Sequence, residues 1–246
     1  MKIAVCYSGI CRGKVERNIN LVKHHFPKAD LFFSTWEGKE EDITKNLPKE
    51  YVERVHYHKE PKPDYHCVRD VDGIKANKFN IIRDKIKKGQ YDEAYIERTL
   101  HHTKQILAHY FLMMTVPDDY DMIIRIRYDT LLSKQVDFQS YLNKAYDEKF
   151  AIGFGVRKSR HKTLDKFLEI PRTYPRDFKE SQDWAYYLMD PMIFHHRSIW
   201  NNERVMMLYN NHMLAAAEYG WYQCLSEPYG DNHLCVYGGA QIEKYL

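Results

Sequence analysis

Tyr120-Asp121-Met122-Ile123-Ile124-Arg125-Ile126-Arg127-Tyr128-Asp129 is a strand-length run whose apolar body ends in charge. Side chains of an extended chain alternate between faces, so Met122, Ile124, Ile126 and Tyr128 share one face, and Ile123, Arg125, Arg127 and Asp129 the other. Charge inside a protein is costly unless something pairs with it. Two guanidinia and a carboxylate at the end of a core strand therefore point to an anion grip, a phosphate above all, with or without a metal.

The segments around this run alternate between strand and helix periods. Lys2 to Tyr7 is β-prone, Ser8 to Gly13 is a loop, and Val15, Ile19, Val22 and Phe26 recur at helical spacing until Pro27. Leu31 to Trp36 predicts a second strand, and Val52 to His58 a third. Phe79, Ile82 and Ile86 predict a helix closed by Gly89, and a longer helix carries Ile96, Leu100, Leu107, Phe111 and Met114 on one face until Pro117. After Asp129, Phe150 to Val156 and Met189 to His195 predict strands, Arg157 to Lys179 an irregular basic stretch, and Glu203 to Tyr219 a Met-rich helical region. Apolar strands separated by helices predict an α/β fold, a three-layer α/β/α sandwich with a mostly parallel central sheet. In such sheets ligands bind beyond the carboxyl ends of strands, where Ser8 to Arg12, Thr35-Trp36 and Arg127 to Asp129 would lie.

The 246 residues, 44% hydrophobic and 14% aromatic, are enough for a substantial core, and a single domain spanning 1–246 is expected, its two halves meeting near Leu132. With 37 Lys and Arg against 34 Asp and Glu, the chain lacks the one-sided basicity of proteins that track nucleic-acid backbones. No apolar run approaches the ~18 residues of a transmembrane segment, and Met1-Lys2-Ile3-Ala4-Val5-Cys6 does not resemble a secretory leader, so a cytoplasmic location is expected. Cys6, Cys11, Cys67, Cys224 and Cys235 match neither a zinc nor a disulfide spacing and read as free thiols.

Neither a Gly-x-x-x-x-Gly-Lys-Ser/Thr nor a Gly-x-Gly-x-x-Gly loop follows the first strand, which argues against P-loop ATPases and typical dinucleotide dehydrogenases. Ser8, Gly9 and Arg12 stand there instead, at the mouth of a helix, and read either as an anion-binding turn or as a plain turn with a solvated arginine. The pairs His24-His25, His101-His102 and His195-His196 cannot chelate on their own, because neighbours do not face each other on a helix or a strand. Arg157 to Lys162 reads as a solvated basic stretch. Asp183, in Gln182-Asp183-Trp184, is open to two readings, a helix cap or a cleft carboxylate that takes a proton from a hydroxyl. Asp190 and Glu218 are weaker candidates for that role, and His233 is a candidate late metal ligand.

In their order, the first strand ending in Ser-Gly-x-x-Arg, the second ending in Ser34-Thr35-Trp36, the long helix and the Tyr120 to Asp129 run resemble small GT-A-type glycosyltransferases. Such enzymes are found in bacterial surface-polysaccharide clusters and in large DNA viruses or phages. The resemblance implies a GT-A-like fold in which 1–132 binds a nucleotide-sugar donor, a UDP- or GDP-sugar, and 133–246 faces a glycan acceptor. It implies an Asp-x-Asp motif holding Mn2+ or Mg2+ against the donor diphosphate. The triplet here is Arg127-Tyr128-Asp129, so Asp129 alone carries over as metal ligand, while Arg127, with Arg125, can pair with phosphate directly. Ser8, Gly9, Arg12 and Thr35 would line the nucleotide, and Asp183 would be the catalytic carboxylate. A nucleotidyltransferase acting on a sugar phosphate, or an inactive nucleotide-binding scaffold, are the alternative readings.

Overall fold

A computed structural model of the chain describes residues 1–61, 88–89, 93–155, 168–171, 188–210, 214, 217–230 and 232–243. β1 (Ile3–Ser8) is buried along its whole length, as its uninterrupted small and apolar residues require. Gly9 then breaks the strand at φ +105°, and α1 (Val15–His25) packs Val15, Ile19 and Val22 back onto the sheet. β2 (Asp30–Trp36), α2 (Glu40–Asn46), α3 (Lys49–Val52) and β3 (Val55–His58) complete the first layer of parallel strands. The long α4 (Glu93–Met113) leads to β4 (Met122–Ile126) and the short β5 (Thr130–Leu132).

α5 (Phe138–Glu148) starts at Asp137, whose carboxylate accepts the Ser140 N–H at 3.1 Å, and stops at Lys149 in the left-handed conformation. β6 (Ala151–Gly155), β7 (Leu168–Pro171) and β8 (Met192–His196) follow, then α6 (Asn202–Asn210), α7 (Ala217–Leu225), β9 (His233–Tyr237) and β10 (Ala240–Ile242). Eight strands form one sheet in the order β3-β2-β1-β4-β8-β6-β9-β7. Four of its seven pairings are parallel and three antiparallel, so the sheet is mostly parallel as expected. β10 pairs with β5 in a separate two-stranded sheet.

Helices cover both faces, which makes the expected three-layer sandwich. α1 and α5 cover the face that carries Val5, Tyr7, Phe33, Ile124, Ile126 and Phe194, while α4, α6 and α7 cover Ala4, Cys6, Trp36, Ile123 and Ile193. The alternation read from the Tyr120 to Asp129 run holds: Met122, Ile124, Ile126 and Tyr128 join the first core, and Ile123 the second.

Some local expectations shift. Val52 ends the short α3 instead of opening β3, because Pro48 starts a helical turn before the strand. Met114 is exposed, and the buried arc of α4 runs through Ile106, Leu107, Ala108, His109, Leu112 and Met113, since this helix packs on β1 and β2 and also against α6 and α7. Within the stretch expected to be irregular, β7 is an edge strand, a place where Pro171 is tolerated. The Met-rich region divides into α6 and α7. The helix expected around Phe79 to Ile86 lies outside the described residues.

Parallel β1 to β4 bring Ser8, Trp36, His58 and Ile126 to one edge of the sheet. Antiparallel β8 begins at that same edge, with Met192 opposite both Ile126 and Phe154. The segments after β4 and before β8 therefore meet there.

Candidate functional site

The β1–α1 loop supplies the first wall. A Cβ on Gly13, which sits at φ +83°, would lie 2.5 Å from a Glu243 carboxylate oxygen and 3.4 Å from Asp129, so glycine lets the loop run against both. Arg12, held by this loop, donates its Nε–H to Asp129 Oδ2 at 2.8 Å while its side chain stays 50% exposed. From α1, the buried Asn18 donates to the carbonyls of Arg127 (3.1 Å) and Tyr128 (3.3 Å) and so holds the turn after β4. The Tyr128 hydroxyl donates to the Ser34 carbonyl at 3.2 Å and ties that turn to β2.

The second wall is the segment before β8. Leu188 to Pro191 crosses β6 at Gly153, where an added Cβ would fall 2.5 Å from Met189 N and 2.8 Å from Met189 O. That approach seats Pro191, whose carbonyl accepts the Arg127 N–H at 3.3 Å and the Thr130 hydroxyl at 2.9 Å. It also sets Asp190 against Arg127 Nη1 at 3.2 Å. Arg127 is thereby held on two sides: Nε and Nη2 donate to Asp129 Oδ1 and Oδ2 at 2.8 and 3.0 Å, and Nη1 to Asp190. Arg125 lies beneath, fully buried, donating to the Asp190 carbonyl and, at 3.3 Å, to Gln105, with its guanidinium carbon 4.9 Å from the Trp221 ring centre.

These contacts set the charge states. Burial works to raise the Asp129 pKa, but the bonds and charges of Arg127 and Arg12 outweigh it and hold the carboxyl below its ordinary value. Burial works to lower that of Arg127, and Asp190 and Asp129 reverse it to a raised value. Burial pushes Arg125 down to about 10, although Asp190 opposes it. Three guanidinia, Arg12, Arg125 and Arg127, thus gather around two carboxylates, Asp129 and Asp190, so that cations outnumber carboxylates by one in this cluster among the described residues.

A divalent cation does not fit this arrangement at Asp129. A carboxylate offers about four acceptor positions, and guanidinium N–H groups take three of them. A cation on the same oxygens would stand within roughly 4 Å of Arg12 and Arg127, and unit charges at that range repel by about 4 kcal/mol at an effective dielectric of 20, doubled for a divalent ion. Among the described residues no group of three or more His, Cys, Asp or Glu side chains is disposed to hold a metal.

No protein-family model matches the chain, and no curated protein matches its sequence. Among solved structures it is similar to TarS of S. aureus in complex with UDP, at 8% identity and a TM-score of 0.48, over 98% of this chain and 60% of that one. It is also similar to the mannosyltransferase Ktr4p of S. cerevisiae, at 13% identity and a TM-score of 0.40, over 94% and 63% of the two chains. A third likeness is to 4-diphosphocytidyl-2C-methyl-D-erythritol synthase of Anaerococcus prevotii, at 11% identity and a TM-score of 0.41, over 85% and 82%. All three scores are below 0.5, too low to say what this chain does.

Of the residues singled out in the sequence, Arg12, Arg127 and Asp129 come into direct contact, with Arg125 one layer below. Ser8 and Thr35 are both buried at the same edge, and neither hydroxyl has a hydrogen-bond partner among the described residues. By strand alternation they point to opposite faces, Ser8 with Cys6 and Thr35 with Phe33. Among the described residues, none lies within 4 Å of a Cβ built on Gly9. The mouth of α1 is taken by Glu243, which accepts the Lys14 N–H at 2.8 Å, so that N-terminus already has its carboxylate.

His233 does not join the cluster. It opens β9 at the opposite end of the sheet, in register with Ala151, and its Nδ1 lies 2.7 Å from the Ser226 hydroxyl. Glu218 belongs to α7, where its carbonyl accepts the Leu188 N–H. Asp183 and the Arg157 to Lys162 stretch lie outside the described residues. Asn18, Gln105 and Glu243 were not singled out, because a lone amide or acid on a helix or near a terminus carries no pattern of its own. Among the described residues no helix is long and apolar enough to cross a membrane.

Proposed function

We propose that the chain is a GT-A-like glycosyltransferase that moves a sugar from a nucleotide-sugar donor, a UDP- or GDP-sugar, to a hydroxyl of a glycan acceptor. The observation that carries this reading is the Arg12–Asp129–Arg127–Asp190 chain of charge at the carboxyl edge of β1 and β4. With Arg125 beneath it, the cluster sets three guanidinia against two carboxylates among the described residues, and that excess suits a diphosphate. The orphaned Ser8 and Thr35 hydroxyls suit the nucleoside or sugar, since buried polar atoms without partners are rare unless a ligand or water supplies one.

The acceptor oxygen attacks the anomeric carbon, the bond from that carbon to the diphosphate oxygen breaks, and its electron pair stays on the nucleoside diphosphate. Fixed positive charge at that oxygen lowers the barrier, because it is in place before the charge develops. Asp183 takes the acceptor proton, and a base in that role gives inversion at the anomeric carbon. The Asp190 carboxylate is engaged by Arg127, which favours a positioning role for it.

A panel of nucleotide sugars tests this reading, with release of nucleoside diphosphate and transfer to simple glycosides as readouts. Turnover of a UDP- or GDP-sugar is expected. Release of inorganic pyrophosphate from a nucleoside triphosphate and a sugar phosphate would mark a nucleotidyltransferase instead, binding without turnover would mark an inactive nucleotide-binding protein, and failure to bind any member would overturn both enzyme readings.

A further inference from the structure

We propose that a bound diphosphate is held in this chain by the Arg12 and Arg127 guanidinia, with Arg125 beneath them supplying the excess positive charge, that Asp129 and Asp190 act as positioning residues for them, and that no divalent cation takes part. The inference rests on the donor reading above and specifies how the donor is held.

The geometry of the two arginines supports it. Arg12 spends only its Nε–H on Asp129, so its terminal Nη groups have no partner among the described residues, and the half-exposed side chain can present them outward. Arg127 is pinned from both sides, by Asp129 through Nε and Nη2 and by Asp190 through Nη1. Its side chain keeps 12% of its surface open. One guanidinium is thus rigid, its Nη1 donating also to Gln105 at 3.4 Å so that a single Nη2 N–H is left for a ligand, while the Arg12 fork is adjustable and can pair with two phosphate oxygens at a time.

Asp129 meanwhile gives most of its acceptor capacity to the arginines. Both of its oxygens accept from guanidinium N–H groups, and Glu243, the carboxylate that approaches it, is spent on the Lys14 backbone N–H and lies 3.6 Å from the Lys14 ammonium. Asp190 offers its side chain to Arg127 and its carbonyl to Arg125. Both oxygens of Asp129 and one of Asp190 are thus engaged by guanidinium N–H groups. In the transfer step the leaving diphosphate gains one negative charge as the sugar–oxygen bond breaks. The two guanidinia meet that charge by hydrogen bonding, with no proton transferred to the leaving group and no co-reactant.

Calorimetric titration of the full chain with UDP, GDP and inorganic pyrophosphate, each in EDTA and again in Mn2+, tests the proposal. Affinity is expected to agree within about twofold between the two conditions, to fall steeply with added salt, and to weaken about tenfold or more in Arg12→Ala under both. Arg12→Lys keeps the charge without the fork and should fall between. Asp129→Asn is expected to weaken binding equally with and without Mn2+, through loss of alignment of the arginines. Nucleotide binding that requires Mn2+, or an Asp129→Asn defect confined to the Mn2+ arm, would overturn the inference and leave the donor reading standing. If no nucleotide bound in either arm, both would fall.

Discussion

Arg12 and Asp129 are 117 residues apart in sequence, yet the Arg12 Nε–H lies 2.8 Å from Asp129 Oδ2. The pair closes a chain of alternating charge that runs on through Arg127 to Asp190. It joins the loop after β1 to the turn after β4, two strands that are neighbours in the sheet but not in sequence. Removing either arginine should therefore affect ligand binding and stability by different amounts.

Arg12→Ala should leave the fold nearly intact, because the side chain is half exposed and exposed ion pairs contribute at most about 1 kcal/mol. Arg127→Ala should also weaken donor binding, but at a larger cost, about 3–5 kcal/mol, because it strands Asp129 and Asp190 without their shared cation. Urea unfolding run beside donor titration separates the two. Equal destabilisation by both substitutions would contradict the burial difference.

Gly153→Ala should destabilise by about 1–3 kcal/mol, as overpacking commonly does, because the new methyl meets the Met189 backbone, which has no rotamer to yield. Gly155→Ala, which meets the Met189 side chain and Pro191 at 3.1 to 3.3 Å, should cost less. The first substitution should also reduce donor affinity by moving Asp190 away from Arg127. Midpoints of chemical denaturation would rank the pair, and the reverse order would count against this account of the crossing.

Stability should rise with pH between about 3 and 6.5, owing to His195 and His109. Both are fully buried, with Nε2 atoms 3.5 Å apart, His109 against Trp200 and Trp221 and His195 stacked on Trp200. Burial pushes His195 down to about 3, while the Arg197 charge works in the same direction and a backbone bond to His196 opposes it. Burial, then the His195 charge, puts His109 well below its ordinary value. In this window the unfolded chain binds more protons than the folded one, so acid favours unfolding, and His195 alone should cost about 2 kcal/mol at pH 5. Asp129 has the same sign in a lower window: its stabilisation is complete above the ordinary carboxyl value of 3.8 and is lost as pH falls through its depressed folded value. Unfolding free energies from pH 7 down to 4 would check the slope, and a flat profile would count against a neutral buried pair.

Asp183→Asn should leave donor binding nearly unchanged while removing most of the transfer rate, of the order of 10²–10⁴-fold for a lost general base. Single-turnover kinetics beside calorimetry would read the two separately. Normal turnover in the variant would remove Asp183 from the proposed chemistry.

Much of the fold was legible because strand and helix periods are local. The β1, α1 and β2 segments and the two-faced alternation of Met122 to Tyr128 follow from which residues are apolar and at what spacing. On α4 the expected face holds at Leu107 and Phe111 and fails at Met114, while the side chains of Ile96 and Leu100 lie outside those described; the buried arc is wider than one stripe, taking in His109 and Thr103, because the helix packs against both a sheet and two other helices. β7 was missed because an edge strand need not alternate and can carry a proline.

By itself the sequence determined that charge would gather at the end of the strand before Asp129, since alternation and burial leave Arg125, Arg127 and Asp129 on one face. Only the tertiary structure decided what that charge does. Whether Asp129 faces a metal or a guanidinium depends on β1 lying beside β4, on Gly13 letting the loop approach, and on Gly153 letting Asp190 in. Those are contacts between distant parts of the chain, set by how the whole sheet packs, and no local period encodes them.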